Sequence, residues 1–294
     1  MDAAHLLSLA AAFRNRRVTV VGDLVVDEFV YGRVARVSRE APVLILEYDS
    51  TEIVPGGAGN AANNVASLGG KATLISTIGR DAPGRRVIAA LRRGVDARRV
   101  LRVQGAATPV KTRILAGGVH SAKQQVVRID RAVAEPVLPG VRQAFERAVL
   151  DAIPQGDAVL ISDYGSGLIT PALVAAVRRR LKGARRPDGS PIPVLIDSRY
   201  RLLKYRGLTA CTPNESEVEE ALGIRIADNR RVLERAGREV LSRTDMLAVL
   251  ITRGSRGMAL FVRDAPTVHI PIFGSESIVD VTGAGDTVVS TVAL

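Results

Sequence analysis

At 294 residues, with 47% hydrophobic and 24% charged side chains, the chain can bury one large core and has the make-up of a globular protein. Its apolar stretches are strand-sized, residues 6–13 are too short and too basic on their far side for a signal peptide, and a lone Cys211 excludes an internal disulfide and argues against structural zinc, so a cytosolic location and no membrane partner are expected. The net charge of +11 invites a nucleic-acid partner. However, the basic residues are mostly dispersed arginines and aromatics are only 3%, so small anionic ligands are expected and nucleic acid is not.

In chain order, apolar β-branched runs alternate with helical patterns, which predicts an α/β fold on a largely parallel sheet. Residues 18–21 read as the first strand, 58–68 as a helix, 72–78 as a strand and 85–93 as a helix. Strands at 110–115 and 124–129 flank the Gly117-Gly118 turn, a hairpin signal. Helix 141–152, strand 158–161, helix 171–181 and strand 194–196 continue the alternation. Helices at 218–222 and 231–241, strands at 247–251 and 258–262, and a last helix from Asp286 to Leu294 complete it. One stretch departs from the rule. Residues 29–37 and 43–48 are strand-like with no helix between them, and read as a small β flap over the carboxyl edge of the sheet, the alternative being an edge hairpin without a role.

The most informative motif is Thr282-Gly283-Ala284-Gly285-Asp286, following Val279-Asp280-Val281 at the end of an apolar segment. Small residues at a helix start let a phosphate reach backbone N–H groups at the favourable end of the dipole. A carboxylate there repels phosphate but suits a base facing the attacking hydroxyl, so the motif points to phosphoryl transfer. Two other motifs fail. Gly57-Ala58-Gly59-Asn60-Ala61-Ala62 resembles a dinucleotide fingerprint, with Asp81 further on, but Pro55-Gly56 is expected to interrupt the strand that should lead into it. Gly69-Gly70-Lys71-Ala72 lacks the rest of a Walker A loop. His5, His120 and His269 are too scattered for a triad or a histidine metal site.

Taken together, Pro55-Gly56-Gly57-Ala58-Gly59-Asn60 and Val281-Thr282-Gly283-Ala284-Gly285-Asp286 resemble the PfkB, or ribokinase-like, carbohydrate kinases. Gly22-Asp23 with Asp27, Tyr31-Gly32, Arg36-Val37-Ser38, Glu40-Ala41-Pro42-Val43, Lys111, Arg113, Gln125, Arg128, Asp130, Ser162-Asp163-Tyr164, Tyr205-Arg206-Gly207 and Thr212-Pro213-Asn214 with Glu217 resemble the D-glycero-β-D-manno-heptose-7-phosphate kinases within that family.

The resemblance implies a single ribokinase-like domain over 1–294, with a mostly parallel central sheet flanked by helices and the flap inserted at about 29–55. It implies ATP and Mg²⁺ as cofactors, Asp286 as the base, and Gly283, Ala284 and Gly285 as N–H donors to the transferring phosphate. Asn214 and Glu217 fall on the family's N-x-x-E motif, Glu217 reaching the metal through water; a plain helix cap is the alternative. Thr252, Gly254 and Gly257 match the nucleotide-binding strand and turn, with an ordinary turn as the alternative. Asp27, Gly56, Gly57 and Asn60 are assigned to sugar hydroxyls, and Arg36, Lys111, Arg113 and Arg128 to a phosphate already on the sugar. The resemblance also implies a homodimer through the flap.

The departures are Ser166 in place of a family Lys, and Asp197-Ser198-Arg199-Tyr200 in place of Asp-Pro-Lys-Gly; they leave another sugar, unphosphorylated or phosphorylated, open as the acceptor, and a non-catalytic ribokinase-like protein that binds sugar or nucleotide is the alternative of a different class. The chain stops eight residues after Asp286, where family members continue, so the C-terminal end of the family fold is expected to be missing. An H-x-G-H motif is absent, so no second, nucleotidyltransferase activity is expected.

Overall fold

In the computed structural model, residues 3–117, 123–131, 137–273 and 283–294 are described. The first half contains α1 (Ala3–Ala12), β1 (Arg17–Gly22), β2 (Leu24–Val37), β3 (Leu44–Gly57), α2 (Ala58–Ser67), β4 (Lys71–Ile75), β5 (Thr77–Gly79), α3 (Ala82–Ala89), β6 (Val95–Asp96), β7 (Leu101–Val103), β8 (Val110–Gly117) and β9 (Gln124–Arg131). The second half contains α4 (Pro139–Ala152), β10 (Ala158–Asp163), α5 (Pro171–Leu181), β11 (Val194–Ser198), β12 (Ala210–Cys211), α6 (Glu215–Leu222), α7 (Arg230–Thr244), β13 (Ala248–Thr252), β14 (Met258–Val262), β15 (Val268–Ile270) and α8 (Ala284–Ala293).

Nine strands form the central sheet in the order β15-β14-β13-β12-β11-β10-β1-β4-β6, parallel from β13 to β6 and antiparallel at the β14 and β15 edge. The parallel strands are buried on both faces, which is why they read as continuous β-branched runs. Val20, Leu74 and Leu160 face a core closed by α2 and α8, while Val21, Ile161 and Ile196 face one closed by α4, α5 and α7. Strand order runs outward from β1 one way through β4 and the other way through β10. The reversal lies between β1 and β10, the place where open α/β sheets bind ligands at their carboxyl ends.

The flap is larger than the sequence predicts. β2 and β3 pair along 14 residues each, and the β8–β9 hairpin joins them in a second sheet of order β3-β2-β8-β9. Pro55-Gly56 does not interrupt β3: Pro55 pairs with Val26 and Gly56 with Val25, and α2 starts directly after Gly57. The strand leading into the glycines is nevertheless an antiparallel flap strand, and Asp81 is spent capping α3 and holding Thr108, so no dinucleotide fingerprint results. Residues 279–281 and His120 lie outside the described residues.

Candidate active site

The site is assembled by helix packing. α2 turns small residues, Ala58, Ala61 and Ala62, toward Val289 and Ala293 of α8, and Ser290 Oγ donates to the Ala61 carbonyl at 3.0 Å. Small side chains let the two helix starts come together, so that Asn60 Nδ2 donates to Asp286 Oδ2 at 2.7 Å across 226 residues of sequence. Gly283 caps α8 at φ 79°, and a Cβ there would sit 2.5 Å from Asn60 Nδ2. Among the described residues no side chain caps the first N–H groups of α8, a helix start of the kind that suits an anion.

Asp286 is 4% exposed. Burial pushes its carboxyl up to about 6, the neighbouring Asp27 charge adds to this, and the Asn60 and Tyr164 hydrogen bonds and Lys111 oppose it. Tyr164, just beyond β10, presents its hydroxyl to both carboxylate oxygens at 3.3 and 3.5 Å. Its phenol is driven far above the ordinary value by burial and the Asp286 charge, so it remains a neutral donor. Sequence reasoning placed Tyr164 only within a matching run and gave it no role.

The second sheet brings several of the residues expected to bind the acceptor into one ladder. Asp27 on β2 pairs with Lys111 on β8, which pairs with Asp130 on β9; Phe29 pairs with Arg113, which pairs with Arg128. With a side-chain period of two, all six lie on one face of the flap. Arg113 holds Asp27 at 2.5 Å and lies over the Phe29 ring, while Arg128 holds Asp130 at 2.6 Å. The Lys111 ammonium sits 5.2 Å from the centre of the Tyr164 ring, and burial lowers its pKa. Gly56 backs directly onto Asp27: a Cβ there would overlap Asp27 Oδ2, so the close approach requires glycine. Gly57 is the residue from which α2 starts.

Arg36 does not join this group. It pairs with Ile45 at the exposed tip of the flap, nine residues along β2 from Asp27, a span of roughly 30 Å. Within one chain it cannot share a phosphate with Lys111 and Arg113, because the long flap carries it away from the sheet.

Of the residues expected to bind nucleotide, Asn214 and Glu217 form a capping box on α6: Glu217 N–H donates to Asn214 Oδ1 at 2.8 Å, and Asn214 N–H to Glu217 Oε2 at 2.9 Å. The cap alternative is therefore realised, and Glu217 Oε1 is left for another partner. Thr252 ends β13 beside Asn214, and its N–H donates to the Pro213 carbonyl at 3.0 Å. Gly254 and Gly257 bracket the turn that follows, which Glu215 pins through Arg253 and Arg256.

Between the two halves stands Asp197, at the end of β11, which sequence reasoning noted only as part of a departure. Burial and the Asp286 and Glu217 charges raise it well above an ordinary aspartate, and no hydrogen bond reaches its carboxylate from the described residues. Burial also raises Glu217. No three ligating side chains among the described residues are close enough to hold a metal by themselves. Crowded carboxylates with spare oxygens fit a hydrated cation shared with phosphate oxygens, the usual condition of Mg²⁺.

Ser166 also acquires a place. Its Oγ donates to Asp23 Oδ1 at 2.5 Å, and Asp23 Oδ2 accepts Tyr164 N–H at 2.7 Å. Asp23 thereby fixes the turn that carries Tyr164. A cavity of about 500 Å³ lined by Arg17, Lys71 and Asp96 lies at the opposite, amino edge of the sheet and contains none of these residues. His5 lies on α1, and His269 meets Glu234 on the far side edge.

The sheet with its ligand edge at the strand reversal, the start of α8 and the buried carboxylate beside it define a phosphotransferase. The chain belongs to the pfkB family of carbohydrate kinases, whose family model matches residues 16–294. It is 40% identical over 296 residues to the "Bifunctional protein HldE" of Geobacter metallireducens, covering 100% of this chain and 58% of the relative. The protein of the same name from Caulobacter vibrioides is 39% identical over 296 residues, again with 100% and 58% covered. The chain thus spans little more than half the length of these relatives. In fold it is similar to Arabidopsis thaliana ribokinase complexed with ribose and ATP (TM-score 0.67, 20% identity, 94% of this chain and 84% of that one). It is likewise similar to Escherichia coli phosphofructokinase-2 in complex with fructose-6-phosphate (TM-score 0.68, 18% identity, 94% and 86%). No helix among the described residues is long and apolar enough to cross a membrane.

Proposed function

We propose that this kinase transfers the γ-phosphoryl group of ATP to the anomeric hydroxyl of a heptose 7-phosphate. The carrying observation is the set of cations on one face of the flap, Lys111, Arg113 and Arg128, joined to Asp286 through the Lys111–Tyr164 contact. A sugar lying under the flap places its phosphate on those cations and a hydroxyl at Asp286. The hydroxyl oxygen attacks the γ-phosphorus, the bond to the ADP oxygen breaks, and the hydroxyl proton passes to Asp286. In a loose transition state the base orients the hydroxyl and receives the proton late. The N–H groups at the start of α8 hold the phosphoryl oxygens. Mg²⁺ bound with ATP would neutralise phosphate charge, and Glu217 and Asp197 are the residues that would hold it, Glu217 through water.

A second reading is favoured by a specific observation. Arg113 and Arg128 are already paired with Asp27 and Asp130, which weakens their claim on a phosphate and suits a neutral sugar. ADP release measured with heptose 7-phosphate, the unphosphorylated heptose, fructose 6-phosphate and ribose separates the two. The first reading expects the heptose phosphate to be preferred; equal rates on phosphorylated and unphosphorylated heptose support the second. We also assign the exposed apolar residues of the flap, among them Val37, Leu44, Val127 and Ile129, to contact with a second copy of the chain, which sedimentation measures directly.

A further inference from the structure

We infer that Tyr164 is a positioning residue for Asp286: with Asn60 it clamps the carboxylate, and it gives up its own hydrogen bond when the acceptor hydroxyl arrives. The inference rests on the reading of Asp286 as the base.

The geometry supports a clamp of unequal arms. Asn60 holds Oδ2 alone at 2.7 Å, a short bond to one oxygen. The Tyr164 hydroxyl straddles Oδ1 and Oδ2 at 3.3 and 3.5 Å, too long for a strong bond to either. Oδ1 is therefore held only by the weaker arm, and it is the oxygen that a substrate hydroxyl can claim. Among the described residues no other donor reaches Asp286.

Tyr164 is itself fixed at both ends. Its N–H is held by Asp23, whose carbonyl also accepts the N–H of Ala58 at the start of α2, the helix that bears Asn60. One buried aspartate thus sets both arms of the clamp. At the other end the Tyr164 ring lies beneath the Lys111 ammonium, so a phosphate drawing on Lys111 acts on the residue that touches the base. The charged groups facing Asp286 are Asp27 from β2, Lys111 from β8 and Asp197 from β11, with Tyr164 itself the fourth titratable neighbour.

Tyr164→Phe keeps the ring and the backbone bond to Asp23 and removes only the hydroxyl. Loss of a donor to the ionised form makes the carboxylate harder to ionise. The expected result is an acid limb of the kcat–pH profile moved upward by about half to one pH unit, with turnover at pH 9 within about threefold of wild type. The Kd of a non-hydrolysable ATP analogue should stay at the wild-type value, while the melting temperature should fall by a few degrees at pH 7.5 and less near pH 4, because a further rise in the Asp286 pKa costs stability only where the carboxyl ionises. A purely structural role for Tyr164 would instead lower turnover equally at every pH. An unmoved acid limb overturns the inference.

A second measurement does not need turnover. In protein labelled with ¹³C at aspartate carboxyls, the Asp286 signal is identified by its loss in Asp286→Asn, and its titration midpoint should rise in Tyr164→Phe. An unchanged midpoint overturns the clamp. Full turnover in Asp286→Asn would overturn the base assignment alone, because the midpoint still reports whether Tyr164 holds the carboxylate.

Discussion

Asp286→Asn should make the protein more stable and nearly inactive at once. The carboxyl of Asp286 titrates at about 6, against 3.8 for an ordinary aspartate. About two units at 1.36 kcal/mol each amount to a cost on the order of 3 kcal/mol for keeping this group ionised in the folded protein. Asparagine removes that cost, but its amide group faces the Asn60 donor and offsets part of the gain. A net increase of about 1–2 kcal/mol is expected, a rise in melting temperature of about 2–8 °C. The sign depends on pH. Because the folded-state value is raised, the wild-type protein loses stability as pH climbs from about 4 through 6, and the loss is complete above that range. The variant's advantage should therefore be absent near pH 4 and full at pH 7.5, while turnover falls by about 10²–10⁴. Thermal melts of both proteins across this range, with ADP-release rates on the same samples, make the test. A variant less stable at pH 7.5, or a stability difference independent of pH, would refute the argument that burial of the base is paid for in folding energy.

Glu217→Gln keeps a side chain able to accept the Asn214 N–H and so preserves the α6 cap. It should raise the Mg²⁺ concentration needed for half-maximal rate with little change in melting temperature, and an unchanged Mg²⁺ titration counts against Glu217 as a metal-side residue. Gly56→Ala forces Asp27 off its present position and should raise the sugar KM about tenfold or more, leaving the KM for ATP alone; equal effects on both would show general disruption instead. Lys111→Ala should cost about tenfold in KM for a phosphorylated sugar and little for its unphosphorylated form, since a charge-assisted contact contributes about 1.5–3 kcal/mol. Equal losses on the two sugars would place Lys111 outside the phosphate contact.

The sequence was legible where local pattern and global fold agree. Strands buried on both faces produce unbroken β-branched runs, so β1, β10, β11 and β13 were found within a few residues of their observed bounds, as were α2, α5 and α8. Two-residue strands such as β6 and β12 leave no such pattern, because their pairing is set by neighbours far away in sequence. The same non-locality hid the flap's true extent. Pro55 reads as a strand breaker, yet it pairs with Val26 on β2 within the flap. The motif residues around Asp286 were readable because glycine, small side chains and a carboxylate at a helix start carry their own chemistry. Tyr164 and Asp197 were not, because their roles depend on which strand ends meet at the reversal between β1 and β10. Arg36 was grouped with Lys111 by residue type, and only the length of β2 separates them.

The most direct measurement of the central claim is kcat/KM for heptose 7-phosphate and for the same heptose without its phosphate, under saturating ATP and Mg²⁺. The account predicts a preference of at least about tenfold for the phosphorylated sugar, reduced in Lys111→Ala and Arg113→Ala. Equal kcat/KM for the two sugars, untouched by either substitution, would contradict it and leave a neutral-sugar kinase.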